Sequence, residues 1–327
     1  MKRDKYLSKE YTNCVRGICA IVVIIHHLYQ RTGLFSEIYI GELLQLSGAL
    51  AVSVFFFFSG YGLMLSSQKK NYVKNFFRNK FLPLYCFYVF LIILYSFWTL
   101  CIEHTIPLIE LVKSFLFGAT VVSNGWYLQA TFVLYLVYLF SFSVFNDTNM
   151  RILSVAVSIL VYCIFCRFIG LGAWWYQTIP CVILGMLYCY NKPRIDIVLN
   201  KHVWKVFIAS SVLFAIFYKI VTLYLKEPMY HTIYFVAFVC ATISISYILC
   251  DTPIIRNSFF ALCGKYSLEM YVSHGFFLRL IEFKFFNNKF IYILTVVIGT
   301  IIVSFIMKKI FTNIIPLIFK NRRCTYQ

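Results

Sequence analysis

Uncharged apolar runs long enough to cross a lipid bilayer recur along the whole of this 327-residue chain. About 20 apolar residues suffice for one crossing, and backbone inside lipid must satisfy its own hydrogen bonds, which favours helices. Hydrophobic residues make up 61% of the sequence and charged residues only 13%, unlike soluble domains. We therefore expect an all-α polytopic membrane protein with about ten transmembrane helices. The predicted spans are residues 12–30, 43–66, 81–102, 124–145, 152–168, 172–190, 203–225, 228–250, 257–279 and 290–309.

The distribution of charge predicts how these spans are oriented. Most of the 30 Lys and Arg residues fall on one side if the N-terminus is cytoplasmic, as the positive-inside rule requires. We therefore expect both termini to be cytoplasmic. A further run, 106–122, carries Glu110 and Lys113 and is typical of a helix that lies along the membrane. The net charge of +18 does not indicate a nucleic-acid partner, because the basic residues interrupt apolar segments instead of forming a basic domain.

Arg16 and His27 are the ionisable residues that first suggest a site within a span. They are eleven residues apart, nearly three helical turns, so both share one helix face and lie roughly 16 Å apart along its axis. Ionisable residues inside a membrane usually face a cavity, a partner or a substrate path. Since neutral imidazole accepts protons well near cellular pH, His27 is predicted to be a general base. The alternatives are an inert histidine at the interface and an Arg16 that extends to the surface.

The second predicted span ends in a run of Phe followed by Ser59 and Gly60, close to a basic loop that includes Arg78 and Lys80. Small residues allow close approach of helix backbones, which commonly means packing only. Small residues would equally leave room for the narrow part of a phosphorylated molecule. The cationic loop beside them would bind its phosphate groups, because Arg and Lys bind phosphate. Under this second interpretation Ser59, Gly60, Arg78 and Lys80 bind the donor substrate.

Two further groups of residues favour an acceptor or supporting role. Trp126 belongs to the stretch Asn124-Gly125-Trp126-Tyr127-Leu128 that opens the fourth span, where an interfacial aromatic belt is the alternative. In the ninth span Ser267, Tyr271 and His274 follow i, i+4 and i+7 spacing and share a helix face. Polar stripes within spans usually line an interior site, so Glu269 and His274 are candidate site residues, although Glu269 and Lys265 are also spaced to neutralise each other. No cluster of residues predicts a metal site.

Together these residues resemble the membrane-bound acyltransferase type 3 family, bacterial enzymes that acylate sugars of cell-surface glycans. The resemblance covers about residues 10–310 and predicts one integral-membrane domain over 1–327. It is carried by the Arg16-x10-His27 element, the Phe run before Ser59-Gly60, Trp126-Tyr127-Leu128, and Tyr266-Ser267-Leu268 through Tyr271 to His274. It implies that His27 is the catalytic base and that Arg16 is needed for activity. The family's Arg-x-x-Arg is replaced here by the shorter Arg78-Asn79-Lys80.

The resemblance implies an O-acyltransferase in the bacterial cytoplasmic (inner) membrane. Acetyl-CoA would be the donor, membrane lipid would surround the chain, and a sugar hydroxyl of an extracytoplasmic glycan would be the acceptor. The sequence shows no fused extracytoplasmic esterase-like domain, so the chain either acts alone or needs a separate transferase partner. A secondary transporter or glycan flippase is the alternative, although the paired interrupted helices typical of transporters are not evident. A non-enzymatic scaffold would not require Arg16 and His27 in helical register.

Overall fold

The computed structural model describes residues 5–33, 40–103, 105–281 and 288–319, and every regular element among them is helical. The α-helices are α1 Lys9–Thr32, α2 Gly41–Ser67, α3 Tyr72–Phe76, α4 Leu82–Glu103, α5 Leu108–Phe115, α6 Trp126–Val144, α7 Thr148–Phe168, α8 Cys181–Tyr190, α9 Lys192–Ile220, α10 His231–Leu249, α11 Ser258–Lys265, α12 Ser267–Leu278 and α13 Lys289–Phe319. Short π-helical segments at Phe77–Phe81 and Val221–Leu225 follow α3 and α9. Single 3-10 turns lie at Ala173–Trp175, Pro228–Tyr230 and Arg279–Ile281.

Within the described ranges, eight helical stretches are long and apolar enough to cross a membrane. They are Lys9–Thr32, Gly41–Ser67, Tyr72–Ile102, Trp126–Val144, Thr148–Phe168, Lys192–Leu225, Pro228–Leu249 and Lys289–Ile314. The chain is thus an all-α polytopic membrane protein, as predicted. The cytoplasmic placement of both termini stays a prediction, and residues 1–4 and 320–327 lie outside the described part of the chain.

The two remaining predicted spans form shorter helices. Segment 172–190 contains a 3-10 turn and then α8, which begins only after Pro180, a residue that favours helix starts over helix interiors. Segment 257–279 is divided at Tyr266, whose φ of −110° and ψ of 12° lie outside the α-helical range, so α11 and α12 are separate helices. The predicted surface helix over 106–122 is limited to α5, with Glu110 and Lys113 both inside it.

The chain forms two compact units that alternate along the sequence. The first unit comprises residues 1–23, 42–70 and 145–265, and the second comprises 24–41, 71–144 and 266–327. Helix α1 contributes its N-terminal part, with Arg16, to the first unit and its C-terminal part, with His27, to the second. The predicted single domain over residues 1–327 stays a prediction.

Glycines allow two helices of the first unit to cross with their backbones in contact. A Cβ atom at Gly60 of α2 would overlap the carbonyl group of Val182 in α8. On α8, a Cβ at Gly185 would overlap the carbonyl group of Phe57 in α2 and approach the backbone nitrogen of Tyr61. Small residues are the usual means of close helix approach in membranes. The α2–α8 crossing therefore depends on both glycines.

In the second unit, one buried side chain fixes the loop that connects α5 to α6. The Gln129 amide nitrogen donates to the hydroxyl of Tyr88 and to the carbonyl of Ala119, each at 3.0 Å. Its amide oxygen accepts from the backbone N–H of Gly118 at 3.1 Å. Because a buried amide is stable only when its polar atoms are paired, this network ties the loop to α4 and α6. The same loop continues to Ser123 and Asn124.

Candidate functional site

His27 lies near the C-terminal end of α1, where its imidazole is half-buried. Its Nδ1 is 3.0 Å from Oε1 of Gln30, one helical turn further along. An amide oxygen can only accept, so Nδ1 carries the hydrogen, and Nε2 of the neutral ring holds the lone pair. Among the described residues, Nε2 has no hydrogen-bond partner. This is the arrangement that a general base requires.

His274 of α12 packs directly against this imidazole. The two rings are stacked, with centroids 5.1 Å apart and an angle of 27° between their planes. His274 is fully buried, and its Nδ1 lies 3.1 Å from the carbonyl oxygen of Met270, one turn earlier in the same helix. Its Nε2 is 3.1 Å from the amide nitrogen of Asn124. Nδ1–H therefore donates, Nε2 accepts, and the ring is held neutral in a single orientation.

Asn124 reaches His274 from an unusual backbone conformation. Its φ of 59° is in the left-handed region, which Asn tolerates better than most residues with a side chain. The following backbone N–H, that of Gly125, donates to the carbonyl of Val122 at 2.9 Å and closes the turn just before α6. The loop thus places the Asn124 amide beside the histidine pair.

A cleft of about 200 Å³ opens beside His27 within the second unit. Its walls come from the end of α1, the loop before α6 and the end of α12. The polar and charged residues that line it are His27, Gln30, Arg31, Ser123, Asn124 and Arg279. Gly275 and Leu278 complete the lining. The lining of the cleft therefore combines the candidate base His27 with polar and cationic side chains.

Arg16 belongs to the first unit, where it contacts the predicted Phe-Ser-Gly motif. Its guanidinium carbon lies 5.7 Å from the centroid of the buried Phe58 ring, within cation–π range. The neighbouring Ser59 hydroxyl donates to the carbonyl of Phe55 at 2.9 Å within α2. Gly60 is the residue that packs on Val182. The packing role considered for Gly60 is therefore observed, and donor binding by Ser59 and Gly60 stays a prediction.

The other predicted donor-binding and acceptor residues of the second unit occupy three places. Arg78 is exposed and Lys80 half-buried in the π-helical segment after α3, a rare geometry that occurs often at functional sites. Trp126 is the half-buried first residue of α6, with its ring edge-on to that of Tyr127 at 6.1 Å. Tyr266 precedes α12 and packs on Phe305 at 4.3 Å. Their roles in binding stay predictions.

The polar stripe predicted on the ninth span lies on α12. Tyr271 is buried and meets His274 edge-on, with ring centroids 6.0 Å apart. Ser267 is the half-buried first residue of the helix. Glu269 has no exposed surface, and one of its carboxylate oxygens lies 3.4 Å from the Lys308 ammonium of α13. Tyr271 and His274 thus approach the cleft region, whereas Glu269 forms an ion pair between α12 and α13.

The sequence-based site did not include Gln30, Arg31, Asn124 or Arg279. Gln30 and Arg31 follow His27 by three and four residues, a spacing that indicates one helix face and that would have identified them. The Asn-Gly pair at 124 and 125 is a known turn signal, which would have marked Asn124 as conformationally special. No local signal points to Arg279, because its place in the cleft depends on the packing of α12.

Comparison with known proteins agrees with the resemblance noted from the sequence. A family model described as an acyltransferase domain matches residues 9–309, nearly the whole chain. Neither the curated proteins nor the solved structures contain a match to this sequence. The matched region includes the Arg16-x10-His27 element and all of the cleft residues. The chain therefore belongs to the acyltransferase type 3 family.

Proposed function

We propose that this membrane acyltransferase moves an acetyl group from cytoplasmic acetyl-CoA to a sugar hydroxyl of an extracytoplasmic or cell-surface glycan. We place it in the cytoplasmic (inner) membrane of a bacterium. The observation that supports the proposal best is His27, which lines a polar cleft with its Nδ1 hydrogen-bonded to Gln30 and its Nε2 lone pair available. Acyl transfer to an alcohol needs such a base, because a neutral hydroxyl is a weak nucleophile.

In the proposed reaction, Nε2 of His27 accepts the proton of the sugar hydroxyl as its oxygen attacks the thioester carbonyl carbon. The C–O bond forms, the C–S bond breaks, and the imidazolium returns the proton to the departing sulfur. The products are an O-acetyl ester and a free thiol, so atoms and charge balance. The Nδ1–H bond to Gln30 strengthens as the ring becomes charged, because hydrogen bonds from cationic donors are stronger than neutral ones.

The stacked His274 is proposed to hold the His27 ring in its reactive orientation. Its own two nitrogens are occupied by Met270 and Asn124, so it does not compete for the proton of the acceptor. Asn124 acts through His274 and is a positioning residue. Arg16 is proposed as the second catalytic residue, which holds the inner portion of the donor. We propose Ser59, Gly60, Arg78 and Lys80 as the donor-binding residues. On the acceptor side we propose Trp126, Tyr266, Ser267, Glu269 and Tyr271 as acceptor-binding or supporting residues. A separate extracytoplasmic transferase partner is part of the proposal if the acceptor lies beyond reach of the membrane.

The test is transfer of radiolabelled acetyl from acetyl-CoA to surface glycan in membranes that contain the full chain. His27→Ala should abolish transfer at normal protein level, and His202→Ala, at an exposed histidine of the first unit, should leave it unchanged. Mass spectrometry of the glycan should show the increment of an acetyl group only with active protein. Undiminished transfer by His27→Ala would reject the catalytic role. Glycan movement without transferred label would favour a flippase.

A further inference from the structure

Three aromatic rings stack in a column within the second unit, where the π-helical segment Phe77–Phe81 leads into α4. The ring of Phe77 lies over that of Phe81, with centroids 5.0 Å apart and 12° between their planes. The ring of Phe81 in turn lies over that of Tyr85 at 6.0 Å and 10°. Residues four apart share a helix face, and these distances are typical of offset stacking. The three rings are therefore nearly parallel.

The inner two rings of this column are held by other helices of the same unit. Phe132 of α6 packs against Phe81 and Tyr85, with centroid distances of 5.6 and 5.4 Å. The Tyr85 hydroxyl donates to the carbonyl of Phe115 in α5 at 3.2 Å. Phe77, at the end of the column, is 42% exposed. Because the rings beneath it are fixed, the column presents the Phe77 ring in a defined orientation.

Lys74 is the basic residue that shares a helix face with Phe77, since it precedes Phe77 by three residues. It is exposed, and no ion pair in the described part of the chain involves it. The sequence has no Asp or Glu from 68 to 102. Charged side chains are costly in the hydrocarbon core, so we place Lys74 and Phe77 at the membrane surface.

An exposed, oriented ring beside a lysine suits a nucleotide. Every nucleobase has a flat face that stacks on aromatic side chains, and a Lys ammonium binds phosphate as a point charge. Lipid head groups would offer phosphate to Lys74 but no planar ring to Phe77. The part of acetyl-CoA remote from its thioester is an adenosine that carries phosphates, which combines both features. If the N-terminus is cytoplasmic, as predicted, α3 also begins on the cytoplasmic side, because two spans precede it.

We infer that Phe77 and Lys74 bind the nucleotide end of the acyl donor, with the adenine stacked on the Phe77 ring and a phosphate against the Lys74 ammonium. The ligand class is an adenosine 3′,5′-bisphosphate unit, as in acetyl-CoA. This inference rests on the proposed function, because it assigns a site to the nucleotide of its donor. It adds an aromatic contact to the proposed donor-binding residues Arg78 and Lys80, which lie in the same π-helical segment as Phe77.

The direct test is equilibrium binding of radiolabelled adenosine 3′,5′-bisphosphate to the full chain in phosphatidylcholine nanodiscs. Phe77→Leu keeps an apolar side chain but loses the aromatic face, so it should weaken binding about tenfold. Phe77→Trp should retain binding, because the indole ring also stacks on a base. Lys74→Met should weaken binding of the bisphosphate severalfold and leave binding of adenosine, which has no phosphate, unchanged. Phe97→Leu, at an exposed phenylalanine further along α4, is the matched control and should change nothing.

Two donors that differ in the nucleotide separate binding at Phe77 from a general defect of the protein. Acetyl-CoA and acetyl-pantetheine carry the same thioester, but only acetyl-CoA has the nucleotide. Phe77→Leu should raise KM for acetyl-CoA about tenfold with kcat unchanged, as expected when a binding contact away from the reacting atoms is lost. It should leave KM for acetyl-pantetheine unchanged. A folding defect or an altered position in the membrane would impair the use of both donors.

Each outcome decides the inference. Weaker binding by Phe77→Leu and Lys74→Met, with retention by Phe77→Trp, supports the nucleotide site. Undiminished binding by Phe77→Leu, or no binding of the bisphosphate to the natural protein, overturns it. An equal rise in KM for both donors would overturn it too and would assign Phe77 to contact with lipid head groups. His27→Ala separates this result from the proposed function, because it should lose acyl transfer and still bind the bisphosphate. If His27→Ala transfers acetyl normally, its catalytic role fails while the binding result stands.

Discussion

The imidazole rings of His27 and His274 stack with their centroids 5.1 Å apart, and the buried ring is bonded at both nitrogens. His274 therefore has a single orientation, and His27 packs against a fixed surface. Nε2 of His27, which has no hydrogen-bond partner among the described residues, keeps its orientation only if that surface stays in place. Asn124, which bonds the buried ring from the loop before α6, is the residue where this arrangement is most easily tested.

We predict that Asn124→Gly lowers acyl transfer about tenfold. The variant removes the donor to Nε2 of His274, and an unpaired buried acceptor costs about 1–3 kcal/mol. Asn124→Ala should destabilise the protein by a further ~1–2 kcal/mol, because Ala tolerates the left-handed φ of 59° poorly. Initial rates and thermal unfolding in detergent measure the two effects. Equal rates for Asn124→Gly and the natural protein would show that Asn124 does not position His274.

Gly60→Ala should destabilise the protein, and Gly62→Ala should not. At Gly60 the new methyl group would overlap the carbonyl of Val182, whereas a Cβ at Gly62 has no atom within 4 Å. Within a helix, Ala is about 1 kcal/mol more favourable than Gly where the methyl group meets no atom, so Gly62→Ala should be neutral or slightly stabilising. The two midpoints of thermal unfolding form a matched comparison within α2. Similar midpoints would mean that the α2–α8 crossing adapts without loss.

Lys308→Met should lower stability markedly, while Lys309→Met should have little effect. Glu269 has no exposed surface, and Lys308→Met takes a cationic partner away from this buried carboxylate, a loss that typically costs about 3–5 kcal/mol. Lys309 is the exposed neighbour and serves as the control. A second variant, Glu269→Gln combined with Lys308→Met, should recover part of the loss. Failure of the double variant to recover would assign the defect to packing around α13 and not to the charge.

Arg16→Lys should raise KM for acetyl-CoA, by no more than about tenfold, if Arg16 contacts the donor as proposed. Lysine keeps the charge but lacks the planar guanidinium whose carbon lies 5.7 Å from the centroid of the Phe58 ring, and a cation–π contact is worth about 0.5–2 kcal/mol. Phe58→Leu should give a similar rise, and the double variant should be little worse than either single one. Lys9→Met, at an exposed position in the same helix, is the control. Additive effects of the two changes would separate the roles of Arg16 and Phe58.

Much of the architecture could be predicted from the sequence because lipid imposes strict rules on length and hydropathy. Eight predicted spans correspond to long helices. The two exceptions occur where local backbone chemistry opposes a continuous helix, at Pro180 and at Tyr266. Average hydropathy alone does not register such breaks, since both segments are mostly apolar.

The site was predictable only in part, for a different reason. Helical spacing places His27 with Gln30 and Arg31, and Tyr271 with His274, from sequence positions alone. The stacking of His27 on His274 and the approach of Asn124 and Arg279 depend on how distant helices pack. No periodicity encodes such contacts between segments that are far apart in the chain.

Because the rim of the cleft is exposed, we expect water to compete with the acceptor for the thioester. Gln30 and Arg31 are exposed at the rim of the cleft that contains His27, so we expect water to reach the proposed site of proton transfer. Water offers the same O–H group to Nε2 as an alcohol does, and we expect some thioester to be hydrolysed when no glycan is present. Slow release of acetate from acetyl-CoA by acceptor-free membranes is therefore the expected side reaction, and its suppression by an added glycan would support that glycan as the proposed acceptor.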